Sequence, residues 1–525
     1  MSLQSIPSSR PVVMIAVGTA LLAREATAQV RIEYIESTIS GEAFGHTSVG
    51  PDLDGDGVFD LLISAPVGSC SIGFEGYAIT HGFGGSELDR WCGSSIGSAF
   101  GASAWIGDVD GGGVADLAIG ERDYDDPVKY GRNAGRVQVY SSETGALLYE
   151  KIGTQTDARL GVPVAACDDL DLDGVTDFLV AGVGYGSNGD GRVLVVSSVT
   201  GKTIRSHSGA FQADLGYRIC ALRDVDGDGV GDYALSADQP TSGRVHVYSG
   251  LSGTKLRHFD SSTGGGDAFG SAVAAPGDLD GDGLADILIS GGEPLLAGRV
   301  EAYSVASGAL LWSIAGAGSG TKIGEWYGQY TCAVGDINQD GFEDFMIAAG
   351  WDDHDGKDAG RVDLVSGRFL RPLYRFYPGI DGITEYGHAL TRGVDFNGDG
   401  FEDLVIGTPY GGTTEAEGGH VGIYAGNDLF LQADPLSPTS AETVTVDLRG
   451  AEPFKLGMIA LVAVDGVPVF ESLHLTAFDA DAEIQLLADT DPSVSGHDFT
   501  ILGYAQNRAG RGPLMVSNPQ TVSVQ

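Results

Sequence analysis

Asp52-Leu-Asp-Gly-Asp-Gly-Val-Phe-Asp60 puts a carboxylate at positions 1, 3, 5 and 9 of nine residues, with Gly at positions 4 and 6. A single copy reads as a polar turn, because Asp and Gly both favour turns. The pattern returns as Asp108-Val-Asp-Gly-Gly-Gly-Val-Ala-Asp116, Asp169-Leu-Asp-Leu-Asp-Gly-Val-Thr-Asp177 and Asp224-Val-Asp-Gly-Asp-Gly-Val-Gly-Asp232. Asp278-Leu-Asp-Gly-Asp-Gly-Leu-Ala-Asp286, Asp336-Ile-Asn-Gln-Asp-Gly-Phe-Glu-Asp344 and Asp395-Phe-Asn-Gly-Asp-Gly-Phe-Glu-Asp403 complete the set. The mean spacing of about 57 residues suits a unit of four strands with loops, so seven blades of a propeller are predicted.

Each unit repeats the same neighbours in register. An aromatic residue or Leu followed by Gly precedes every acidic loop: Phe44-Gly45, Phe100-Gly101, Leu160-Gly161, Leu215-Gly216, Phe269-Gly270, Tyr327-Gly328 and Tyr386-Gly387. A β-rich run follows the loop, as in Leu61-Leu-Ile-Ser-Ala-Pro66 or Leu404-Val-Ile-Gly-Thr-Pro409. Next comes an alternating Gly-Arg-Val-x-Val-Tyr strand, clearest at Gly135 to Tyr140 and Gly243 to Tyr248. Period-two alternation marks half-buried strands. A fourth run such as Ala146-Leu-Leu-Tyr-Glu150 closes the unit.

These three motif classes resemble the FG-GAP repeat of integrin α-subunit propellers and their secreted bacterial relatives. Phe44-Gly45 matches the first half of the repeat's name, Ser64-Ala65-Pro66 approximates the second, and Asp52 to Asp60 matches its calcium loop. The resemblance covers residues 43 to about 426 and implies a cation-binding, ligand-recognising propeller. Leu160 and Leu215 depart from the aromatic, and the Gly-Ala-Pro part is degenerate in most units.

Arg31-Ile-Glu-Tyr-Ile35 looks like a fourth strand lacking its own first three, whereas the last unit ends at Gly419 to Tyr424. Residues 30–36 are therefore expected to complete blade seven and close the ring within 29–426, which removes an exposed sheet edge. Beyond it, residues 427–525 carry strand-like runs such as Thr443-Val-Thr-Val-Asp-Leu448 and Phe499-Thr-Ile-Leu-Gly-Tyr504, predicting a small β-sandwich.

Oxygens at positions 1, 3, 5 and 9 with Gly at 6 can wrap one hard cation, and tolerance of irregular geometry favours Ca²⁺ over Mg²⁺. The candidate ligands are Asp52, Asp54, Asp56 and Asp60; Asp108, Asp110 and Asp116; Asp169, Asp171, Asp173 and Asp177; and Asp224, Asp226, Asp228 and Asp232. Asp278, Asp280, Asp282 and Asp286 follow, then Asp336, Asn338, Asp340 and Asp344, then Asp395, Asn397, Asp399 and Asp403. Up to seven ions are expected, intact sites in at least five units, and the weakest at Asp108 to Asp116, where Gly112 removes one ligand. An EF-hand is excluded: position 12 from Asp52 is Ile63, inside a strand, where an EF-hand needs a bidentate Glu.

The balance of 30 Lys and Arg against 72 Asp and Glu gives a net charge of −42, which argues against nucleic acid and anionic membranes as partners. Arg10, the apolar run Pro11 to Ala23 and Ala26-Thr27-Ala28 read as a secretory signal (1–28) cut after Ala28, with an uncleaved anchor as the alternative. No later segment reaches the length of a membrane span, so a secreted, periplasmic or cell-surface location is expected. Cys167, Cys220 and Cys332 read as buried small hydrophobes. Cys70 and Cys92 flank one predicted hairpin as either a disulfide or two thiols.

In an up-and-down blade the acidic loop and the short turn between strands three and four share one end. The longer connections, such as Glu121 to Ala134, Gly182 to Asp190, Trp351 to Ala359 and Tyr410 to Gly418, lie at the other, where recognition usually sits. That end gathers Tyr124, Tyr130, Arg132, Tyr185, Trp326, Trp351, His354, Tyr386 and Tyr410, which suit a protein or glycan ligand or, for Tyr327 and Tyr386, blade packing. The pattern sets no oligomeric state. Gly93-Ser-Ser-Ile-Gly97 and Gly184-Tyr-Gly-Ser-Asn-Gly189 mimic catalytic and dinucleotide motifs but lack the helix each requires. Adhesion or ligand recognition is the favoured function and no enzyme is expected; a calcium-dependent polysaccharide lyase or hydrolase is the alternative, and a structural module the third reading.

Overall fold

The computed structural model describes residues 31–426 apart from 38–41, 71–72, 86, 238–242, 263–267, 292–296, 317–325, 339–340, 355–358, 369, 371, 379–384, 399–400 and 410–417. Beyond 426 it describes the backbone of eight strands between Phe430 and Ser523. The expected signal segment lies outside the described residues.

Seven four-stranded antiparallel sheets form, six of them running outward in chain order. Blade two is typical, with Phe100–Trp105 innermost, then Leu117–Glu121, Arg136–Tyr140 and Leu147–Ile152. The other inner strands are His46–Val49, Leu160–Ala166, Ile219–Ala221, Val273–Gly277, Tyr327–Gly335 and Ala389–Arg392. Each touches the next, and Ala389–Arg392 touches His46–Val49, so the circle is closed. Blade seven takes its outer strand from the other end of the propeller: Arg31–Glu36 pairs antiparallel with His420–Tyr424.

The core lies in the wedges between blades. Phe100, Leu117 and Ile119 of blade two pack on Leu62, Ala78 and Trp91 of blade one. Leu179, Val193 and Val195 of blade three meet Tyr233 and Leu235 of blade four in the same way. The second strands, wholly buried, therefore read as continuous apolar runs, whereas the outer strands alternate.

Packing explains the aromatic–Gly pair. Phe100, Leu160, Phe269 and Tyr386 are buried, Leu in place of an aromatic included. The Gly after each lets two backbones meet: Gly161 has φ 125°, and a Cβ there would lie 2.4 Å from Arg136 O. Gly135, at the head of the third strand, bridges Leu160 of the next blade. On the outside, each blade reaches the next blade's turn. Tyr149 Oη donates to Ser198 O at 2.7 Å, Lys151 Nζ to Gly201 O at 3.0 Å and Arg257 Nη2 to Ala306 O at 2.7 Å.

Cys70 and Cys92 are joined in a disulfide, while Cys167 is buried and Cys220 and Cys332 are half-buried thiols. Arg31–Phe396 with Glu402–Tyr424 forms one compact unit. In the C-terminal unit, Phe430–Asp434, Val444–Arg449 and Glu483–Leu486 make one sheet. Val467–Leu475, Leu456–Val464, Asp498–Gln506 and Met515–Val516 run in order in another, with Gln520–Ser523 also paired to Asp498–Gln506. The packing of the expected sandwich lies outside the described residues. Among the described residues no helix is long and apolar enough to cross a membrane.

Candidate metal centres

Every acidic loop joins the first strand of its blade to the second. The Asp at position 1 shapes it from within: Asp52 accepts the Gly55 N–H at 2.7 Å and the Gly57 N–H at 2.9 Å. Asp108 does the same with Gly111 and Gly113, and Asp278 with Gly281 and Gly283. Those glycines have positive φ, 78° at Gly55 and 91° at Gly57, which a side chain rarely adopts. Leu172 takes that position in the third loop at φ 61° and is exposed.

The Asp at position 9 is buried in all seven loops: Asp60, Asp116, Asp177, Asp232, Asp286, Asp344 and Asp403. One oxygen closes the loop by accepting the N–H of position 2, from Leu53 at 2.7 Å in the first loop to Phe396 at 2.9 Å in the last. The other ties the loop to the turn after the third strand, where Asp116 accepts from Ser142, Asp177 from Ser198, Asp232 from Gly250 and Asp344 from Gly367. Asp60 Oδ1 and Asp286 Oδ1 are buried with no such donor. A buried carboxylate oxygen without a donor is costly unless a cation meets it.

Oxygens converge accordingly. Asp52, Asp54 and Asp60 bring one oxygen each to within 4.8 Å of one another, as do Asp108, Asp110 and Asp116; Asp169, Asp171 and Asp177; and Asp224, Asp226 and Asp232. In the fifth loop the converging set is Asp278, Asp280 and Asp282. Asp56, Asp173, Asp228 and Asp286 stand outside these groups. Asp56 Oδ1 accepts the Val58 N–H at 2.8 Å, and Asp228 accepts from Val230 at 3.0 Å. In the sixth loop Asp336 accepts from Gly341 at 2.8 Å, and Asp344 takes the N–H groups of Ile337 and Asn338. Asp340 and Asp399 lie outside the described residues.

The second loop contains a residue that the repeat pattern missed. A Cβ at Gly112 would lie 2.6 Å from Glu143 Oε2 and 3.0 Å from Asp110 Oδ1, so Glu143 fills the space of the absent position-5 carboxylate. Its turn, Ser141-Ser-Glu-Thr-Gly145, carries Glu where the equivalent turns carry Val199, Leu251 and Ala306. That lone acid, in the one unit whose loop has no oxygen-bearing side chain at position 5, was the available signal.

Burial pushes the carboxyls of Asp177, Asp232 and Asp286 up to about 6, reinforced by the neighbouring loop carboxylates and opposed by backbone hydrogen bonds. Burial has the reverse sign on bases, lowering His207 and His246 to about 4. The raised carboxyls favour the metal-free fold most below their unfolded value near 3.8, an advantage lost as pH rises through 6. The lowered imidazoles favour the fold above 6.5, and that advantage is lost as pH falls towards 4. In EDTA the two trends oppose each other between pH 4 and 6. With metal present, proton uptake by the aspartates competes with the ion. Melting curves at pH 7.5 and 5 should therefore show the gap between metal-loaded and EDTA-treated protein shrinking by about half or more at the lower pH. A gap that stays constant would contradict this.

At the opposite end, Tyr185 proves to be core, and Tyr386 takes the blade-packing reading. Tyr185 is buried and its hydroxyl accepts the Thr154 N–H, while Tyr386 is buried with its hydroxyl on Tyr424. Tyr185 packs with residues of blade two, an inter-repeat contact that no single unit's pattern reveals. Tyr124, Tyr130, Trp326 and Trp351 are half-buried, Arg132 and His354 are exposed, and Tyr410 lies outside the described residues.

A profile of the FG-GAP repeat matches residues 330–365 and 386–424, two of the blades just described. This is an integrin-α-like FG-GAP propeller. The chain is 29% identical to integrin alpha-4 of Xenopus laevis over 234 residues, 41% of this chain and 22% of that one. It is 34% identical to integrin alpha-E of Mus musculus over 161 residues, 27% and 14% of the respective chains. It thus spans less than a quarter of these relatives' length. Among solved structures, the Dos1 propeller aligns with a TM-score of 0.40 at 10% identity, over 70% of this chain and 74% of that one. Among the described residues, five loops of this propeller carry acidic clusters that could hold a divalent cation.

Proposed function

We propose that this FG-GAP propeller is an extracellular calcium-binding recognition module, acting in adhesion or ligand capture and not in catalysis. The observation that carries the reading is the convergence of three Asp oxygens in each of five loops at one end of the ring, which leaves the longer connections at the other end. The donor set is all oxygen and flexible, as Ca²⁺ prefers. Asp52, Asp54, Asp56 and Asp60 and their equivalents would hold the ion, with Glu143 standing in at the second loop. Bound calcium would supply the positive charge that lets the buried position-9 carboxylates remain ionised. The protein's own part is mechanical: position 1 sets the loop, and position 9 clamps its base to the next turn.

The long-loop end is assigned to the ligand because irregular loops on a rigid scaffold can vary without disturbing the core. The resemblance to integrin propellers favours a protein ligand. The test is binding of calcium-loaded protein to arrays of extracellular proteins and of glycans, with every hit assayed for turnover. Saturable, EDTA-sensitive binding without turnover supports the reading. Turnover of a polysaccharide replaces it with an enzyme, and absence of any ligand together with self-association replaces it with a structural module.

A further inference from the structure

The residues following the aromatic–Gly pair open each inner strand at the end away from the acidic loops. His46 pairs with Ser64, and Ala389 with Gly407, both near the ends of second strands that lead into the longer connections. Around the ring these openings are unequal. Blades two, three and five contribute Ala102-Ser103, Val162-Pro163 and Ser271-Ala272, whereas blades four, six, seven and one contribute Arg218, Tyr330, His388 and His46. The four larger residues interact around the axis although they are far apart in sequence.

Arg218 lies with its guanidinium carbon 4.7 Å from the ring centre of Tyr217 and 5.8 Å from that of Tyr330, two blades away. The His46 ring stands edge-on to His388 at 5.5 Å. Glu385 accepts from His388 Nδ1 at 3.0 Å, which leaves Nε2 to take the Tyr330 hydroxyl at 2.8 Å. Tyr330 and His388 are thus oriented by each other and by Glu385. Arg218 is not: its guanidinium makes one hydrogen bond, to Tyr217 O at 3.3 Å, and no carboxylate pairs with it among the described residues. In a chain of net charge −42, most of the described propeller arginines that face other side chains have found an acid, as Arg136 has Glu121 and Glu150.

We propose that Arg218, just ahead of blade four's inner strand, is a receptor for a single carboxylate, held by its guanidinium fork beside the Tyr330 and His388 pair. A guanidinium offers two parallel N–H groups that match a carboxylate and bind it more strongly than a neutral donor does. One unpaired positive charge suits a monoanion; a phosphate dianion would meet Glu385 and the negative field of the whole chain. The inference rests on the long-loop end being the recognising one, and it narrows the ligand there to one presenting an acid group: an acidic peptide side chain or a uronic acid.

Two small probes distinguish those sources: N-acetyl-aspartic acid α-amide and methyl galacturonoside, each with its neutral counterpart, the asparagine amide and methyl galactoside. With the full chain at saturating calcium and pH 7.5, titrations are read from the ring signals of His46 and His388. Saturable binding of at least one acid in the millimolar range, about 1–10 mM, is expected, with none for the neutral pair. Arg218→Met should weaken it on the order of tenfold or more, and Arg218→Lys, which keeps the charge and loses the fork, by less. Equal binding by Arg218→Met at an unchanged melting temperature, or no saturation by either acid, overturns the receptor. If Arg218→Met still binds a macromolecular ligand found on the arrays, only this site is refuted; if that ligand binds through the acidic-loop end, the reading of the recognising face fails with it.

Discussion

Chelation of calcium at pH 7.5 is expected to lower the melting temperature by on the order of 15 °C and to broaden the transition. A site held at about one hundred times its dissociation constant contributes about 2.7 kcal/mol. Five converging clusters therefore supply on the order of 10 kcal/mol, and a domain of this size shifts by about 1–2 °C per kcal/mol. The dependence is built in, because without an ion each of these five clusters packs three carboxylates within 4.8 Å, and in four of them one of the three is the buried position-9 Asp. Calorimetric titration of the chelated protein should find at least five sites. Glu143→Ala should weaken or remove one of them, while the same change in a repeat with a complete loop, Val199→Ala, should not. Unchanged melting in EDTA would remove the structural role of the metal, and an unaffected titration of Glu143→Ala would return the second loop to the weak site that Gly112 alone suggests.

Opening the ring is expected to be as damaging. Ile32 and Ile35 of the closing strand pack against a core that includes Phe44, Leu61, Val405 and Ile423, from blades one and seven. Ile32→Asp with Ile35→Asp removes that burial and places charge in the wedge, a loss on the order of 4 kcal/mol or more. Deleting residues 31–36 goes further, because His420–Tyr424 would then present unpaired N–H and C=O groups along a buried, apolar strand. Aggregated protein, or a melting temperature lower by about 5–10 °C in calcium, is the expected result in size-exclusion and thermal measurements. A monomeric deletion variant that melts like the parent would show that closure contributes nothing.

Much of this architecture was legible in one dimension because its causes are local. Asp and Gly at fixed offsets are demanded by a turn whose glycines sit at positive φ, and an alternating strand is demanded by one buried face. Each requirement returned once per blade, so the register could be read off without knowing any contact between blades. Even the orphan strand at Arg31–Glu36 betrayed itself by missing its three predecessors.

What the chain order did not convey are the meetings between side chains distant in sequence, within a blade and between blades. Glu143 reaches Gly112 from 31 positions away, across the blade's own sheet. Tyr185 is packed with residues of blade two, and which of four loop oxygens converge depends on how the backbone amides occupy the rest. His46 and His388 come together only because the circle closes. Composition and period determined the number of sectors, the kind of ion their loops suit and the sign of the molecule's charge, since those follow from short-range backbone geometry. The assignment of individual side chains to ligand, brace or open cation was decided by tertiary contacts, within each blade's sheet and across the closed ring, which sets its first and last units side by side.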